Sequence, residues 1–362
     1  MRSLLAGTSL VLGVVVTASI TTPIDQPSYA PANVVTSASA SATTAAALPR
    51  CHLTKRLVPT CGRLFGVAAP PVPGQTWRES LYGFQRQIGA NVDIAHYYHS
   101  GQSEIWPSRD EAFLTHHGKI LLANWKPTKT WRQVASGQAD PFLRATARRI
   151  ASRVHGRMFL TINAEMEDEV VAVTGGGHTA KSFAAMFRHV VRVMRGVAGN
   201  KIVPVLCYTG AGHWSLKPWY HSLYPGDRVV SWIAEDPYGY GTNPEYRAPF
   251  RGIVNRKTQA TPSWPGFYTY MTRRHPGKPI MLAEWGVAED WGDLAYKPRT
   301  FRYTPRAMRD RFPRLKAIVY FNRALGPMGN MSIDSTIWSL AAARRMAASG
   351  LFTRMNSDSW PR

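Results

Sequence analysis

The sequence predicts an α/β fold, a single-domain (β/α)8 TIM barrel, and three observations predict it. Strand-like and helix-like stretches alternate along the chain until eight strands are counted. The part beyond the first fifty residues, about 310 residues, suits one large core of this kind. Several strand-like stretches deliver carboxylates, amides and aromatics at their C-terminal ends, where a barrel carries its chemistry. A doubly wound open sheet is the alternative, but no Gly-rich nucleotide turn follows an early strand. Gly175-Gly-Gly177 follows no strand directly and reads as a flexible loop.

Residues 1–30 read as a secretory signal peptide. Arg2 is followed by an apolar run from Leu4 to Ile20, whose uninterrupted part is short for a membrane span. An uncleaved anchor is the alternative; Ser28-Tyr29-Ala30 offers a cleavage site. Residues 31–49 are Ala, Ser, Thr and Pro, the composition of a disordered leader. Residues 50–362 are then the barrel domain. Export agrees with the cysteines: Cys51 and Cys61 are expected to form a disulfide closing a small loop. Cys207, in the apolar stretch Ile202-Val-Pro-Val-Leu-Cys207, reads as a buried free thiol.

The expected strands are Arg63–Ala68, Asn91–Tyr97, Lys119–Trp125, Met158–Asn163, Lys201–Tyr208, Val229–Glu235, Pro279–Glu284 and Ala317–Phe321. Between them lie helical candidates Trp77–Ile88, Ser108–His117, Pro141–Val154, Ala180–Arg195, Trp264–Arg274 and Thr304–Arg311. A Trp/Tyr-rich segment, Ser215–Tyr224, joins this series, and Ser335–Ala348 closes it. Asp140 is expected to cap the third helix, with Pro141 in its first turn. Phe142, Ala145, Ile150 and Val154 then fall near one face and arginines on the other.

Two strand ends carry the chemistry. Lys278-Pro-Ile-Met-Leu-Ala-Glu284-Trp-Gly286 ends a buried run on a glutamate, and Met158-Phe-Leu-Thr-Ile-Asn163-Ala-Glu165-Met-Glu167 has the same form. A carboxylate at the mouth of a buried strand is costly unless it has a partner or a task. Two carboxylates flanking a glycosidic bond suffice for its hydrolysis, and at about 5 Å apart one acts as nucleophile and the other as acid and then base. Glu284 and Glu165 are therefore the expected catalytic pair. Pairing of Glu284 with an arginine, and solvation of Glu165 in its acidic run, are the plainer alternatives; Glu167 is the substitute acid. Asp236 and Tyr238 are expected to orient the nucleophile. Trp125 and Trp285 are expected as sugar platforms, and His99 and Asn322 as further substrate contacts, with His96 hydrogen-bonded in the structure.

Net charge is +22, and +21 from residue 51 on once Arg2, Arg50 and Asp25 are set aside. Such a balance suits an anionic surface such as a cell wall, or simply an evenly solvated exterior. No nucleic-acid motif, metal-site spacing or cofactor motif is present. A polysaccharide substrate, an extracellular location, no stable membrane insertion and a monomer are expected.

The chain resembles glycoside hydrolase family 26, the retaining barrel enzymes that include β-mannanases and some mixed-linkage glucanases and xylanases. The resemblance runs from about Phe65 to Trp338. It rests on Gly118-Lys-Ile-Leu-Leu-Ala-Asn-Trp125-Lys-Pro127, Ala135-Ser-Gly-Gln-Ala-Asp140, Ala164-Glu165-Met166, Tyr224-Pro-Gly-Asp227 and Asp236-Pro-Tyr238. The stretches around Glu284 and Ala317-Ile-Val-Tyr-Phe-Asn322 complete it. By this resemblance Glu165 is acid/base, Glu284 nucleophile, and Tyr238 the tyrosine bonded to the nucleophile. The chain departs from the family pattern where Ala164 and Thr161 replace a histidine and an arginine. It departs again where Glu167, Asp168, Glu169 and Val170 replace an Asn-Gly and tryptophan cluster. The resemblance implies a secreted retaining endo-β-glycanase; the alternative is a non-catalytic wall-polysaccharide-binding barrel.

Overall fold

Apolar residues alternate between two destinations along each strand, and that alternation builds a closed barrel. In the computed structural model, β1 (Leu64–Ala68), β2 (Ile94–Ser100), β3 (Ile120–Lys126), β4 (Met158–Ile162), β5 (Ile202–Tyr208) and β6 (Trp232–Glu235) pair in order, all parallel. A two-residue strand β7 (Tyr238–Gly239) extends the edge of β8 (Ile280–Val287). β8 also pairs with β6 and with β9 (Leu315–Phe321), and β9 pairs with β1, which closes the eight-stranded ring. The structure describes residues 51–352 except 174, 242, 244–245, 258–260 and 327–328. The expected signal peptide, the leader and residues 353–362 lie outside the described residues.

Inside the ring pack Leu64, Ile94, Ile120, Leu122, Phe159, Val203, Val205, Cys207, Trp232, Ala234, Met281, Ala283, Ala317 and Val319. Their strand neighbours Phe65, Ala95, Leu121, Ala123, Leu160, Leu206, Ile233, Leu282 and Ile318 face the helices. This is period-two alternation wrapped into a cylinder.

The N-terminal end of the barrel is stoppered. Cys51 and Cys61 are joined, and Leu53 pairs with Pro59 across the loop between them. Leu53 and Leu57 enter the interior cluster, Leu57 in the left-handed region at φ 59°. Trp232 Nε1 donates to Arg56 O at 2.6 Å, and Arg157 donates to Lys55 O. Burying two leucines there contributes about 3–6 kcal/mol.

Helices ring the barrel. Helix α1 (Trp77–Ile88) opens on a Thr76/Glu79 capping box, and α2 (Arg109–His116) on a Ser108/Glu111 one. Two five-residue helices, α3 (Trp131–Ala135) and α6 (Phe250–Val254), are too short to leave a periodic signal and were not expected. Helix α4 (Asp140–Arg153) corrects an expectation: Asp140 does not cap it. Asp140 is its first residue and Ala139 stands at the cap; the carboxylate instead takes His189 Nε2 at 2.6 Å and Arg144 at 3.6 Å. Helix α5 (Ala180–Ala198) buries Phe183, Phe187, Val190, Val191 and Met194. The Trp/Tyr-rich segment forms two 3-10 turns, Gly212–Leu216 and Tyr220–Leu223. Helix α7 spans Phe267–Arg274. Helix α8 (Tyr296–Asp310) starts two turns before the expected helix and carries Pro305 inside it. Burial of Tyr296, Thr300 and Phe301 outweighs the weak helix propensity of that Tyr/Pro/Thr sequence. Helix α9 (Ile337–Ala347) packs against α8 and α1.

Candidate active site

Glu284 stands near the C-terminal end of β8, beside a register shift between Leu282 and Trp285. Its backbone N–H donates to Asp236 Oδ1 at 2.7 Å. Each carboxylate oxygen receives a phenol: Tyr98 OH at 2.7 Å on Oε1 and Tyr238 OH at 2.6 Å on Oε2. Asp236 in turn accepts the Cys207 thiol at 3.1 Å. One carboxylate thus has its backbone fixed by an acid and both oxygens fixed by tyrosines from β2 and β7.

Glu165 is presented differently. β4 ends at Ile162, and the chain then turns through two left-handed non-glycine residues, Asn163 at φ 52° and Glu165 at φ 56°. Such conformations cost of order 1 kcal/mol each and persist where surroundings enforce them. Here Asn163 Oδ1 accepts from Trp131 Nε1 at 2.9 Å, and Asn163 Nδ2 donates to Glu169 at 2.7 Å. Glu165 N–H donates to Cys207 O at 3.1 Å. The turn aims Glu165 into the same cleft as Glu284.

The two acids differ electrostatically. Burial first, and then the charges of Glu284 and Asp168, push the Glu165 carboxyl up to about 7, with Lys126 opposing. Burial also raises Glu284, but the Tyr238 and Tyr98 hydrogen bonds favour its ionised form. Asp236 is held well above the carboxylate range by burial and by Glu284 and Glu165. Both phenols are raised well above their ordinary value, chiefly by burial, so they remain donors. Burial and neighbouring charge thus favour the protonated form of Glu165, while the two phenols work against the rise at Glu284.

The cleft encloses about 770 Å³. Glu165, Asp236, Tyr238 and Glu284 line it together with Trp214, Tyr240, Tyr246, Phe321, His213 and Arg256. The Arg256 guanidinium lies 4.2 Å from the Tyr246 ring centre and donates to Tyr238 O.

Four expected contacts lie elsewhere. Trp125 is fully buried, donates Nε1 to Gly101 O at 2.8 Å and stacks on Phe142, so it is no sugar platform. Trp285 is equally buried, edge-on to Phe250, Phe301 and Tyr320. Trp125 shares the outward face of β3 with Leu121 and Ala123, whereas Trp285 is turned toward the helices by the register shift after Leu282. His99 lies 2.8 Å from Glu111 and stacks on Trp106, and it is not among the residues lining the cleft. Asn322 accepts the Ile333 N–H at 2.9 Å and borders a separate groove. Glu167, the substitute acid, turns away: both its oxygens accept from Thr209, and burial raises it to about 8. His96 is buried in the barrel beneath Tyr98, its ring 4.4 Å away, and burial lowers it to about 3.

Tyr98 went unassigned, although the alternation Ile94-His96-Tyr98 would have turned it inward. Trp214, Tyr246 and Arg256 lie on loops, where no periodicity shows which way a side chain faces.

No protein-family model and no curated protein sequence matches the chain. Solved structures do. A ruminal GH26 endo-β-1,4-mannanase aligns at TM-score 0.55 and 13% identity, over 83% of this chain, which spans 65% of that one. A modular endo-β-1,4-mannanase from Cellulomonas fimi aligns at 0.56 and 13% identity, over 83% and 74%. A β-mannanase from a symbiotic protist of the termite Reticulitermes speratus aligns at 0.52 and 14% identity, over 83% and 90%. The chain shares its fold, a (β/α)8 barrel, with these mannanases.

Proposed function

We propose that this protein is a divergent family 26 glycoside hydrolase, a secreted endo-acting β-glycanase that works with retention. The observation that carries the reading is the pairing of Glu284, held by two phenols, with Glu165, raised to about 7, in one cleft. Likeness of fold to mannanases supports it.

In the first step a Glu284 oxygen attacks the anomeric carbon while Glu165 donates its proton to the departing glycosidic oxygen. The C–O bond to the leaving chain breaks and a glycosyl ester forms. Glu165, now ionised, then takes a proton from water, whose oxygen displaces Glu284 from the same carbon. Tyr98 and Tyr238 fix the attacking carboxylate, and Asp236 fixes its backbone, so little reorganisation is required when the ester forms. The residues supply every proton and bond in this sequence without a cofactor.

β-Mannan is the first substrate to test, with mixed-linkage β-glucan and xylan next. Ala164 and Thr161 replace side chains that the resemblance would place beside the reacting sugar, so the contacts there differ from the family pattern. The strongly basic exterior fits residence on an anionic wall surface.

The test is reducing-sugar release from β-mannan, mixed-linkage β-glucan, xylans and acidic wall polysaccharides by the parent, Glu165→Ala and Glu284→Ala. Products from one polymer, lost in both variants, support the assignment. A folded protein that retains polymer but releases nothing from the panel is instead the non-catalytic binding barrel.

A further inference from the structure

In the proposed reaction Glu165 protonates the oxygen of the leaving chain, so the wall beside Glu165 faces the leaving sugar. The run that follows it, Met166-Glu167-Asp168-Glu169, contains no aromatic residue on which a sugar ring could rest. An aromatic arrives from the next loop. Trp214 lies in the turn Gly212–Leu216, is half-buried, and lines the cleft with Glu165 and Asp168.

The chain leading from β5 into that turn is hydrogen-bonded to the Glu165 segment. Glu165 N–H donates to Cys207 O, and Thr209 donates through both N–H and hydroxyl to Glu167. Burial raises the Asp168 carboxyl, with His213 and the Trp214 side chain opposing the shift. Asp168 N–H meanwhile donates to Glu165 O at 3.2 Å. The turn is also seated from behind. A Cβ on Gly212 would stand 2.9 Å from Trp264 Cδ1 and 3.0 Å from Thr261 Oγ1, so only glycine lets the backbone approach so closely. The indole is backed by Trp219, ring centres 5.8 Å apart, and by His213 at 4.6 Å. Of the other cleft aromatics, Tyr240 and Phe321 lie 6.3 and 6.1 Å from Tyr238, which bonds Glu284, and Tyr246 lies 5.8 Å from Tyr240.

Resting on the glycosidase reading above, we infer that Trp214 is the stacking platform for the leaving-side sugar, the position that an acceptor sugar also occupies before transfer. An indole held flat against a pyranose ring gains dispersion contact and orients the glycosidic oxygen toward Glu165. Retention makes this directly readable, because the glycosyl ester is then partitioned between water and any sugar seated on that platform.

The experiment compares the parent with Trp214→Ala, Trp214→Leu and Trp214→Phe. Leucine keeps apolar bulk in case alanine loosens the turn. Mannohexaose, cellohexaose and xylohexaose serve as donors, each with an excess of its own disaccharide as acceptor. Mass spectrometry counts hydrolysis and transfer products. The transfer-to-hydrolysis ratio and kcat/KM are both expected to fall about tenfold in the alanine and leucine variants and to recover in phenylalanine. A merely structural indole would lower the rate without changing the partition, because water and acceptor attack the same ester through the same base. A partition in the alanine or leucine variant within twofold of the parent's overturns the inference, as does phenylalanine behaving like leucine or a parent that hydrolyses but never transfers. A parent that cleaves none of the three donors, as a folded protein, overturns the glycosidase reading itself.

Discussion

Glutamine at position 165 should make this protein more stable in base than in acid, relative to the parent. The carboxyl of Glu165 is raised from 4.5 to about 7. Below pH 4.5 folded and unfolded chains both hold the proton, and the residue contributes no difference. Between 4.5 and 7 the unfolded chain ionises while the folded chain does not, and stability falls as pH rises. Above 7 the folded protein must carry a carboxylate in a desolvated cleft beside Glu284, at a cost of about 3 kcal/mol. Glutamine cannot ionise and escapes that cost. Urea unfolding of parent and Glu165→Gln at pH 4 and pH 8 measures it: the glutamine variant should gain about 2–3 kcal/mol on the parent between the two pH values. The same variant should lose the basic limb of the kcat/KM profile near pH 7 along with about 10²–10⁴ of its rate on polymer. An equal stability difference at both pH values would refute the reasoning, because it would mean that Glu165 titrates as an ordinary surface carboxylate.

Other outcomes follow from single contacts. Tyr98→Phe removes one of two phenols from Glu284 and should lower kcat about tenfold or more, moving the acidic limb of the pH profile upward, as kinetics across pH would reveal. Trp285→Ala should cost about 3–5 kcal/mol in urea unfolding, since the indole is core and not platform. Cys51→Ser should destabilise by about 2–3 kcal/mol, because the disulfide loop holds Leu53 and Leu57 in the barrel's end, and thermal unfolding would register it.

The barrel was legible because its strands are buried on both faces and separated by helices long enough to show a period. The place of Glu284 in the cleft, near the end of β8, was legible for the same reason, because the buried run leads straight to it. What misled was parity. Trp125 and Trp285 sit at strand ends among aromatics, but Leu121, Ala123 and Trp125 share the outward face of β3, and on β8 the register shift after Leu282 turns Trp285 outward against the alternation. Tyr98, on the inward face of β2, was the residue to choose. Glu167 would share the face of Glu165 in an extended chain, but two left-handed residues after Ile162 break the alternation. The Asp140 cap failed because Asp140 is itself the first residue of α4 and Ala139 takes the cap position. The cleft's other wall, from Trp214 to Tyr246, lies on loops whose direction is fixed by contacts far away in sequence, such as Gly212 against Trp264.

The most direct test of the central claim is to trap the glycosyl ester and find the residue that bears it. The protein is incubated with 2,4-dinitrophenyl 2-deoxy-2-fluoro-β-mannobioside and with the corresponding cellobioside and xylobioside, digested, and its peptides are weighed and fragmented. One fluorosugar on Glu284, absent from Glu284→Gln and slower to form in Tyr98→Phe, is the predicted result. An adduct on Asp236 or Glu165, or hydrolysis of polymer by an enzyme that forms no adduct with any of the three, would contradict it.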